Sequence, residues 1–326
     1  MKVKEALKKA NKHIKNGTLL RTLTCAFLFR LDAWFFARWL GFDNYYLLHR
    51  KLGFPLEKLK FRQVHGYYPN YKSPRSFNEK CNYLKLFSRN PILPIIVDRV
   101  KVRDFVAKKV GKEVLIPVLQ IVDKPEDINF DKLPEQFVIK TNFASGQNII
   151  VHDKEQINIK QVKDKLSRWL SMKYRVKELI WFAQEVERKI IVEKYLNEEG
   201  LIVPADYKFD VFRGQVKVVN VIEGRFRQKS FTFLDNNWSL LPFQRGRKSQ
   251  NMQPEKPLLF KKMMNIASIL GKEFDFMRVD LYHVNNKIYF GELTPYPGNG
   301  LSVFHPNKYD FVYGNNWNME LKYVLE

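Results

Sequence analysis

The sequence is poor in cysteine and histidine. Cys25 and Cys81 are the only cysteines, and neither stands at a metal or redox spacing. A disulfide framework, a zinc module and a dithiol redox centre are thereby excluded, and a reducing compartment is expected. Six histidines occur in 326 residues. His49 and His65 lack a second ligand at metal spacing and read as structural or surface residues. A run of about 20 apolar residues without charge, which a membrane span needs, is also missing. The most apolar stretch, residues 22–40, contains Arg30, Asp32 and Arg38. A signal peptide fits poorly, because the basic region is long, Arg30 interrupts the apolar run and no small-residue cleavage site follows. There is no Walker A loop and no dinucleotide fingerprint. Nor is there a sugar-nucleotide Asp-x-Asp site or a DNA- or RNA-binding signature. Acid is in short supply, with 34 Asp+Glu against 56 Lys+Arg and a net charge of +22. That excess favours an anionic partner, whether a nucleotide, an acidic polymer or a membrane surface.

What is present suits a folded protein of more than one lobe. Hydrophobic residues make up 45% and aromatics 14% of the chain, ample for a core at this length. Lys2, Lys4, Lys8, Lys9, Lys12, Lys15 and Arg21 precede the aromatic stretch that holds Phe27, Phe29, Trp34, Phe35, Phe36 and Trp39. Basic residues followed by aromatics read as an interfacial helix on an anionic membrane, or as a helix packed on the main body. Ser76 with Glu79 three residues later forms a capping box and starts a helix reaching about Ser88. One further helix is expected over residues 94–109 and a long, interrupted one over residues 154–184. Another, over residues 257–271, ends at Gly271. Residues 244–256 read as a mobile polar loop.

Three stretches carry chemistry. Phe137-Val138-Ile139-Lys140 is a buried strand ending in lysine. The small-residue loop that follows, residues 141–148 with Ser145 and Gly146, returns into a second strand. Backbone N–H groups of such a flexible hairpin can fold over phosphate oxygens, with Lys140 as a point charge. Residues 190–196 form a strand ending Glu193-Lys194-Tyr195-Leu196, whose backbone can meet an adenine edge and whose carboxylate can meet the amine or ribose. In residues 206–212, Asp206, Lys208 and Asp210 alternate onto one face. Finally, residues 276–300 hold two strand-like runs around Asn285-Asn286, with Asp280 in the first run and Glu292 ending the second. The pair is either a solvated surface hairpin or a magnesium site. A regular two-residue turn would put the two carboxylates on opposite faces. A shared site therefore requires an odd-length loop or a bulge between them.

The order of these motifs resembles the ATP-grasp superfamily, and more closely its TupA-like members, the teichuronopeptide-biosynthesis type. Phe77-Asn78-Glu79-Lys80, Phe137-Val138-Ile139-Lys140, Asp206-Tyr207-Lys208-Phe209 and Tyr289-Phe290-Gly291-Glu292-Leu293-Thr294 carry the resemblance, across residues 61–313. It implies an α+β fold, with two α+β lobes holding ATP between antiparallel sheets. The expected organisation is a basic, aromatic helical extension over residues 1–60, a substrate lobe over 61–135 and nucleotide-binding lobes over 136–326. By the same resemblance, Arg99, Lys140 and Lys208 contact phosphates, Ser145 and Gly146 belong to the loop above them, and Glu193, Lys194, Tyr195 and Leu196 form the adenine hinge. Asp280, Glu292 and Thr294 are the expected Mg²⁺ ligands, with Thr294 where relatives carry asparagine and Asn299 as its substitute. Phe143 replaces the loop histidine of relatives. Arg278 is the expected catalytic residue, neutralising a transferring phosphate or a substrate carboxylate.

The implied activity is an ATP- and Mg²⁺-dependent carboxylate–amine ligase of cell-surface polysaccharide biosynthesis, working through an acyl phosphate. Its partners would be an acidic glycan or uronate acceptor, an amino-acid or amine donor and an anionic membrane, with no nucleic acid. The implied location is the cytoplasm, at the inner face of the cytoplasmic membrane. A membrane-associated glycosyltransferase or sugar kinase, and a non-catalytic basic glycan-binding protein, are the alternatives.

Overall fold

The computed structural model describes residues 39–196, 204–224, 230–246 and 253–325. The interfacial helix expected from the N-terminal pattern falls almost wholly in residues 1–38, outside the described residues. Residues 247–252 of the polar loop lie outside them too. The chain divides into two units, and the first takes the residues up to Pro74 together with Arg175–Trp181. It contains helices α1 (Gly41–Lys51) and α2 (Pro55–His65). Tyr45, Tyr46, Phe54, Phe61 and Trp181 are among its buried rings.

The second unit, Arg75–Tyr174 and Phe182–Glu326, is α+β and carries the motifs. It opens with α3 (Phe77–Phe87). The Ser76 hydroxyl accepts from the Glu79 N–H at 3.1 Å, and the Glu79 carboxylate accepts from the Ser76 N–H at 3.0 Å, completing the capping box. The single helix expected next is two, α4 (Leu93–Val97) and α5 (Val102–Val110). Asp98 breaks it. Its backbone is extended with ψ 115°, and its Oδ1 accepts from the Val100 and Lys101 N–H groups. A short acid that bonds the backbone ahead of it competes with the helix.

Strands β1 (Val118–Val122), β2 (Phe137–Thr141) and β3 (Asn148–Val151) follow, then α6 (Ile159–Ser171) and β4 (Ile190–Lys194). Here too the expected helix is shorter. Arg175 and Leu179 have φ of 58° and 56°, values that an α-helix excludes. The four strands form an antiparallel sheet in the order β1-β4-β2-β3. One face buries Phe137, Ile139, Ile190 and Val192 against Val162 and Leu166 of α6. The other face holds Val138, Lys140, Ile191 and Glu193, following the strict alternation of a pleated strand.

A second sheet has β5 (Asp206–Phe212), β6 (Gln215–Glu223) and β7 (Ser230–Leu234), the short β8 (Gln244–Arg245) and helix α7 (Phe260–Gly271) intervening before β9 (Met277–Val284) and β10 (Lys287–Thr294). Its strand order is β10-β9-β5-β6-β7. Phe209, Val279 and Leu281 point to the face covered by α7, whose Met263, Ile266 and Leu270 are buried. β8 pairs with β11 (Phe304–His305), and α8 (Lys308–Asn315) closes the unit. The polar loop of residues 244–256 is therefore anchored at its start by a ladder.

The β9–β10 hairpin turns through two residues. Asn285 and Asn286 have φ of 49° and 56°, and Val284 pairs with Lys287. This is the tight turn, with both central residues left-handed, that asparagine tolerates. The register then shifts between Phe290 and Glu292, so that Gly291 is the extra residue of a bulge and Glu292 pairs with Asp280. Of the two devices expected from the sequence, the bulge is the one present. A Cβ on Gly291 would lie 3.1 Å from the Asp280 carbonyl oxygen and 3.1 Å from the Tyr282 ring. Gly291→Val is expected to destabilise the protein by about 1–3 kcal/mol, the usual cost of overpacking, measured by urea unfolding.

Candidate active site

Strand register builds the site. Glu292, Asp280 and Lys208 pair in turn across β10, β9 and β5, so their side chains share one face in a single row. Thr294 and Arg278 pair one step along the same face, followed by Asp210 on β5. Tyr282 and Asp206 pair on the other side of the row.

Arg278 joins the two carboxylates. Its Nε donates to Asp280 Oδ1 at 2.6 Å, and its Nη2 donates to Asp280 Oδ2 and to Glu292 Oε1, both at 2.8 Å. This is the bidentate fork that only arginine offers. Lys208 Nζ bonds Asp280 Oδ2 and lies 3.4 Å from Asp206 Oδ2. Arg99 Nη2 reaches Glu292 Oε2 at 3.6 Å. Thr294 Oγ1 donates to Glu292 Oε1 at 3.2 Å, so the hydroxyl orients the carboxylate. Asn299 is engaged through its backbone carbonyl, which accepts from the Asn82 amide at 3.2 Å. The Glu292 side chain is 37% exposed; its partial loss of hydration pushes the carboxyl up, but the charges of Arg278, Lys208 and Arg99 outweigh it and hold its pKa at about 2. For Arg278, burial works against the charge, and Asp280 and Glu292 overcome it and raise the pKa.

The donor set fits magnesium. Asp280 and Glu292 offer hard carboxylate oxygens on adjacent strands, and Mg²⁺ is commonly held by one or two carboxylates plus phosphate oxygens and water. Among the described residues no group of three or more His, Cys, Asp or Glu converges to make an all-protein cage.

Beside this row lies an open cleft. Val138, Lys140 and Ile150 of the first sheet line it, with Lys194, Tyr195, Leu196 and, from β9, Tyr282. Apolar walls with a lysine at the rim suit a base and its phosphates. Glu193 sits differently from the hinge expectation. Its Oε2 accepts from Lys140 Nζ at 2.6 Å and its Oε1 from Arg103 Nη1 at 3.4 Å. The carboxylate therefore orients Lys140 rather than facing an amine or ribose. Arg103 is fixed in turn by the Ile116 carbonyl at 2.8 Å.

The small-residue loop is less flexible than its composition suggests. Phe143 and Ala144 are buried with Val186, against Tyr174, and Arg188 stacks over the Phe143 ring at 4.9 Å. Phe143 is thus an anchor of the loop. Only Ser145 and Gly146 are exposed at the tip. The Ser145 N–H donates to Tyr174 Oη at 2.8 Å. Arg99 Nη1 donates to the carbonyls of Thr141 and Ala144 at 3.0 and 2.8 Å. Fully buried Asn142 donates to Asp98 Oδ1 and the Glu187 carbonyl and accepts from the Lys189 N–H. Arg103 and Tyr174 are site-building residues that no motif marks in the sequence, and Asp98 and Asn142 stand in the motif order without a role of their own being legible there. Behind Arg278, Asp210 pairs with Arg245 at 2.7 Å and accepts from Tyr313 Oη at 2.6 Å. Arg245 lies within 5.7 Å of the Phe77, Phe233, Phe304 and Tyr313 ring centres.

A pH dependence follows. The folded pKa of Glu292, about 2, lies below its ordinary value of 4.5. Its stabilisation is complete above the ordinary value and is lost as pH falls toward the folded one. The stability gap between wild type and Glu292→Gln, measured by urea unfolding, is expected to narrow steadily from about pH 5 to about pH 3.

Residues 79–318 match the family model described as TupA-like ATP-grasp. Among solved structures, the chain is similar to the D-alanine–D-alanine ligase of Bacillus anthracis complexed with ATP, at 17% identity and TM-score 0.40, covering 65% of this chain and 58% of that one. It is also similar to the phosphoribosylamine–glycine ligase of Thermotoga maritima, at 13% identity and TM-score 0.39, covering 66% of this chain and 52% of that one. The chain thus spans a little over half the length of these two proteins. A comparison with curated proteins gives no match. The family model covers well over half of the sequence, and the chain belongs to the TupA-like ATP-grasp family.

Proposed function

We propose that the protein is an ATP- and Mg²⁺-dependent carboxylate–amine ligase of cell-surface polysaccharide biosynthesis. The observation that carries this reading is the row Glu292–Asp280–Lys208, bridged by Arg278 and set beside a cleft with Lys140 at its rim. In such a ligase, a substrate carboxylate oxygen attacks the γ-phosphorus of ATP and ADP leaves. An amine then attacks the acyl carbon, phosphate leaves and the amine proton is released. Charge gathers on phosphoryl oxygens throughout, so catalysis rests on fixed cations and carboxylates.

Each residue has a place in that scheme. Lys194, Tyr195 and Leu196 flank the base. Lys140, oriented by Glu193, and Lys208 meet the phosphates, with the tip of the loop at Ser145 and Gly146 above them. Arg99 both fixes that loop and reaches Glu292, which links the loop's position to the carboxylate pair. Asp280 and Glu292, the latter oriented by Thr294, would hold magnesium, which when bound neutralises the phosphate oxygens. Arg278 faces the transferring phosphoryl group or the substrate carboxylate. A sugar kinase would use the same phosphoryl-transfer inventory, and dependence on an amine separates the two.

The net charge of +22 suits an acidic, uronate-bearing acceptor. The basic and aromatic residues before position 40 support a location at the inner face of the cytoplasmic membrane. Among the described residues, no helix is long and apolar enough to cross a membrane.

Two measurements test this. Calorimetric titration with Mg-ATP, and ADP release against a panel of amino acids and uronic acids, should show binding by wild type. Affinity should fall about tenfold or more in Lys140→Ala, as for loss of a charge-assisted phosphate contact, and ADP release should be abolished in Glu292→Ala. Folded wild type that binds no ATP would overturn the reading. In a sedimentation assay, the full chain is expected to bind phosphatidylglycerol vesicles and not phosphatidylcholine vesicles. Replacing Lys8, Lys9 and Lys12 by glutamate should release it.

A further inference from the structure

The polar row does not end at Lys208. Asn220 on β6 pairs with Lys208 in register, and Phe233 on β7 pairs with Asn220. Directly opposed residues share a face, so Asn220 continues the line Glu292–Asp280–Lys208. It is 8% exposed, and its carboxamide oxygen is buried without a hydrogen-bond partner. A buried acceptor with no donor is unfavourable. Such a group can accept from a donor that moves within the site.

The neighbouring donor is Lys208. An ammonium has three N–H groups, and two carboxylates hold this one, Asp280 and Asp206. Asp280 is also one of the two carboxylates that would hold magnesium. A divalent cation and an ammonium on the same carboxylate oxygen repel strongly, because like charges at contact distance are poorly screened in a partly buried site. Lys208 must then leave Asp280 Oδ2. Along β5, Asp206 and Asp210 flank Lys208 on the same face, Asp210 being engaged by Arg245 and Tyr313, and across the strand on the side away from Asp280 the neighbour is Asn220, at about 4.8 Å. Phe233, beyond it, is buried and apolar and offers Asn220 no competing partner.

Resting on the nucleotide and magnesium reading above, we propose that Asn220 is a positioning residue for Lys208. Its carboxamide oxygen receives the ammonium when Asp280 turns to the metal, and holds it facing the phosphates. A neutral acceptor suits this task. It takes a hydrogen bond without competing with Asp280 for the ammonium beforehand, as a carboxylate would.

The test uses the full chain and a non-hydrolysable ATP analogue, AMP-PNP, titrated by calorimetry with Mg²⁺ and with EDTA. The quantity read is the gain in affinity that magnesium brings. Asn220→Leu is expected to leave metal-free binding within about twofold and to lose about tenfold of the magnesium gain, the size of one charge-assisted hydrogen bond. Asn220→Ala serves the same readout if the leucine variant melts early. Asn220→Asp keeps an acceptor and should retain most of the gain. In a Lys208→Met background, Asn220→Leu should have no further effect, which a merely structural role would not produce. The proposal is overturned if Asn220→Leu keeps the full magnesium gain, or if it weakens binding equally with and without metal. It is also overturned if Asn220→Asp is the more damaging variant, since that would mean the amide nitrogen faces a phosphate. If folded wild type binds no AMP-PNP at all, the nucleotide reading itself fails and takes this one with it.

Discussion

The arginine bridge between Asp280 and Glu292 is the interaction on which the site depends. Two carboxylates placed opposite each other on adjacent strands repel, and left alone they would splay or take up a proton. Arg278, two residues from Asp280 on the same strand, bonds both. Lys208 and Arg99 add a second cation to each. Partly buried charges are tolerated only when each has partners, and removing one leaves the others uncompensated. The cluster therefore behaves as a unit: three carboxylates, counting Asp206, are matched by three cations.

Arg99 carries this coupling outward. The same guanidinium that reaches Glu292 holds the carbonyls of Thr141 and Ala144. Asn142, between those two residues, is tied to Asp98, one residue before Arg99 in the chain. The Asp98 side chain that ends α4 thus also fixes the loop, so the helix break and the position of the loop share one cause. Glu193 does similar work for Lys140. On the far side, the buried pair Asp210–Arg245, enclosed by aromatic rings, stiffens the sheet next to Arg278. Most of these residues act by orienting others, as a site built for charge stabilisation requires.

Local signals survived into the structure where their cause was local. The Ser76–Glu79 box caps α3 because both partners lie within one turn. Asp206, Lys208 and Asp210 share a face because a pleated strand allows nothing else. The two asparagines make the hairpin turn because they accept positive φ. Elements failed where a distant partner intervened. The helix expected over residues 94–109 breaks at Asp98, whose carboxylate bonds the backbone ahead of it and is also held by Asn142, 44 residues away. Phe143 and Ala144 read as a flexible loop by composition, yet they are buried by Val186, Tyr174 and Arg188. The carboxylate of Glu193 looked free to meet a base and is instead engaged by two cations from other elements.

The Asp280–Glu292 pair divides the two kinds of information. The sequence alone determined that both carboxylates sit on one hairpin, that a regular register would part them, and that a bulge or an odd loop had to intervene. It also determined the family, through the order of four short motifs. Only the tertiary structure decided that the extra residue is Gly291, that Arg278 takes both carboxylates, and that Lys208 and Asn220 extend the row across the sheet. The reason is that register between strands far apart in sequence is set by packing against a common core. Which acid meets which base is therefore fixed only when Lys208, Asp280 and Glu292 are brought onto one face.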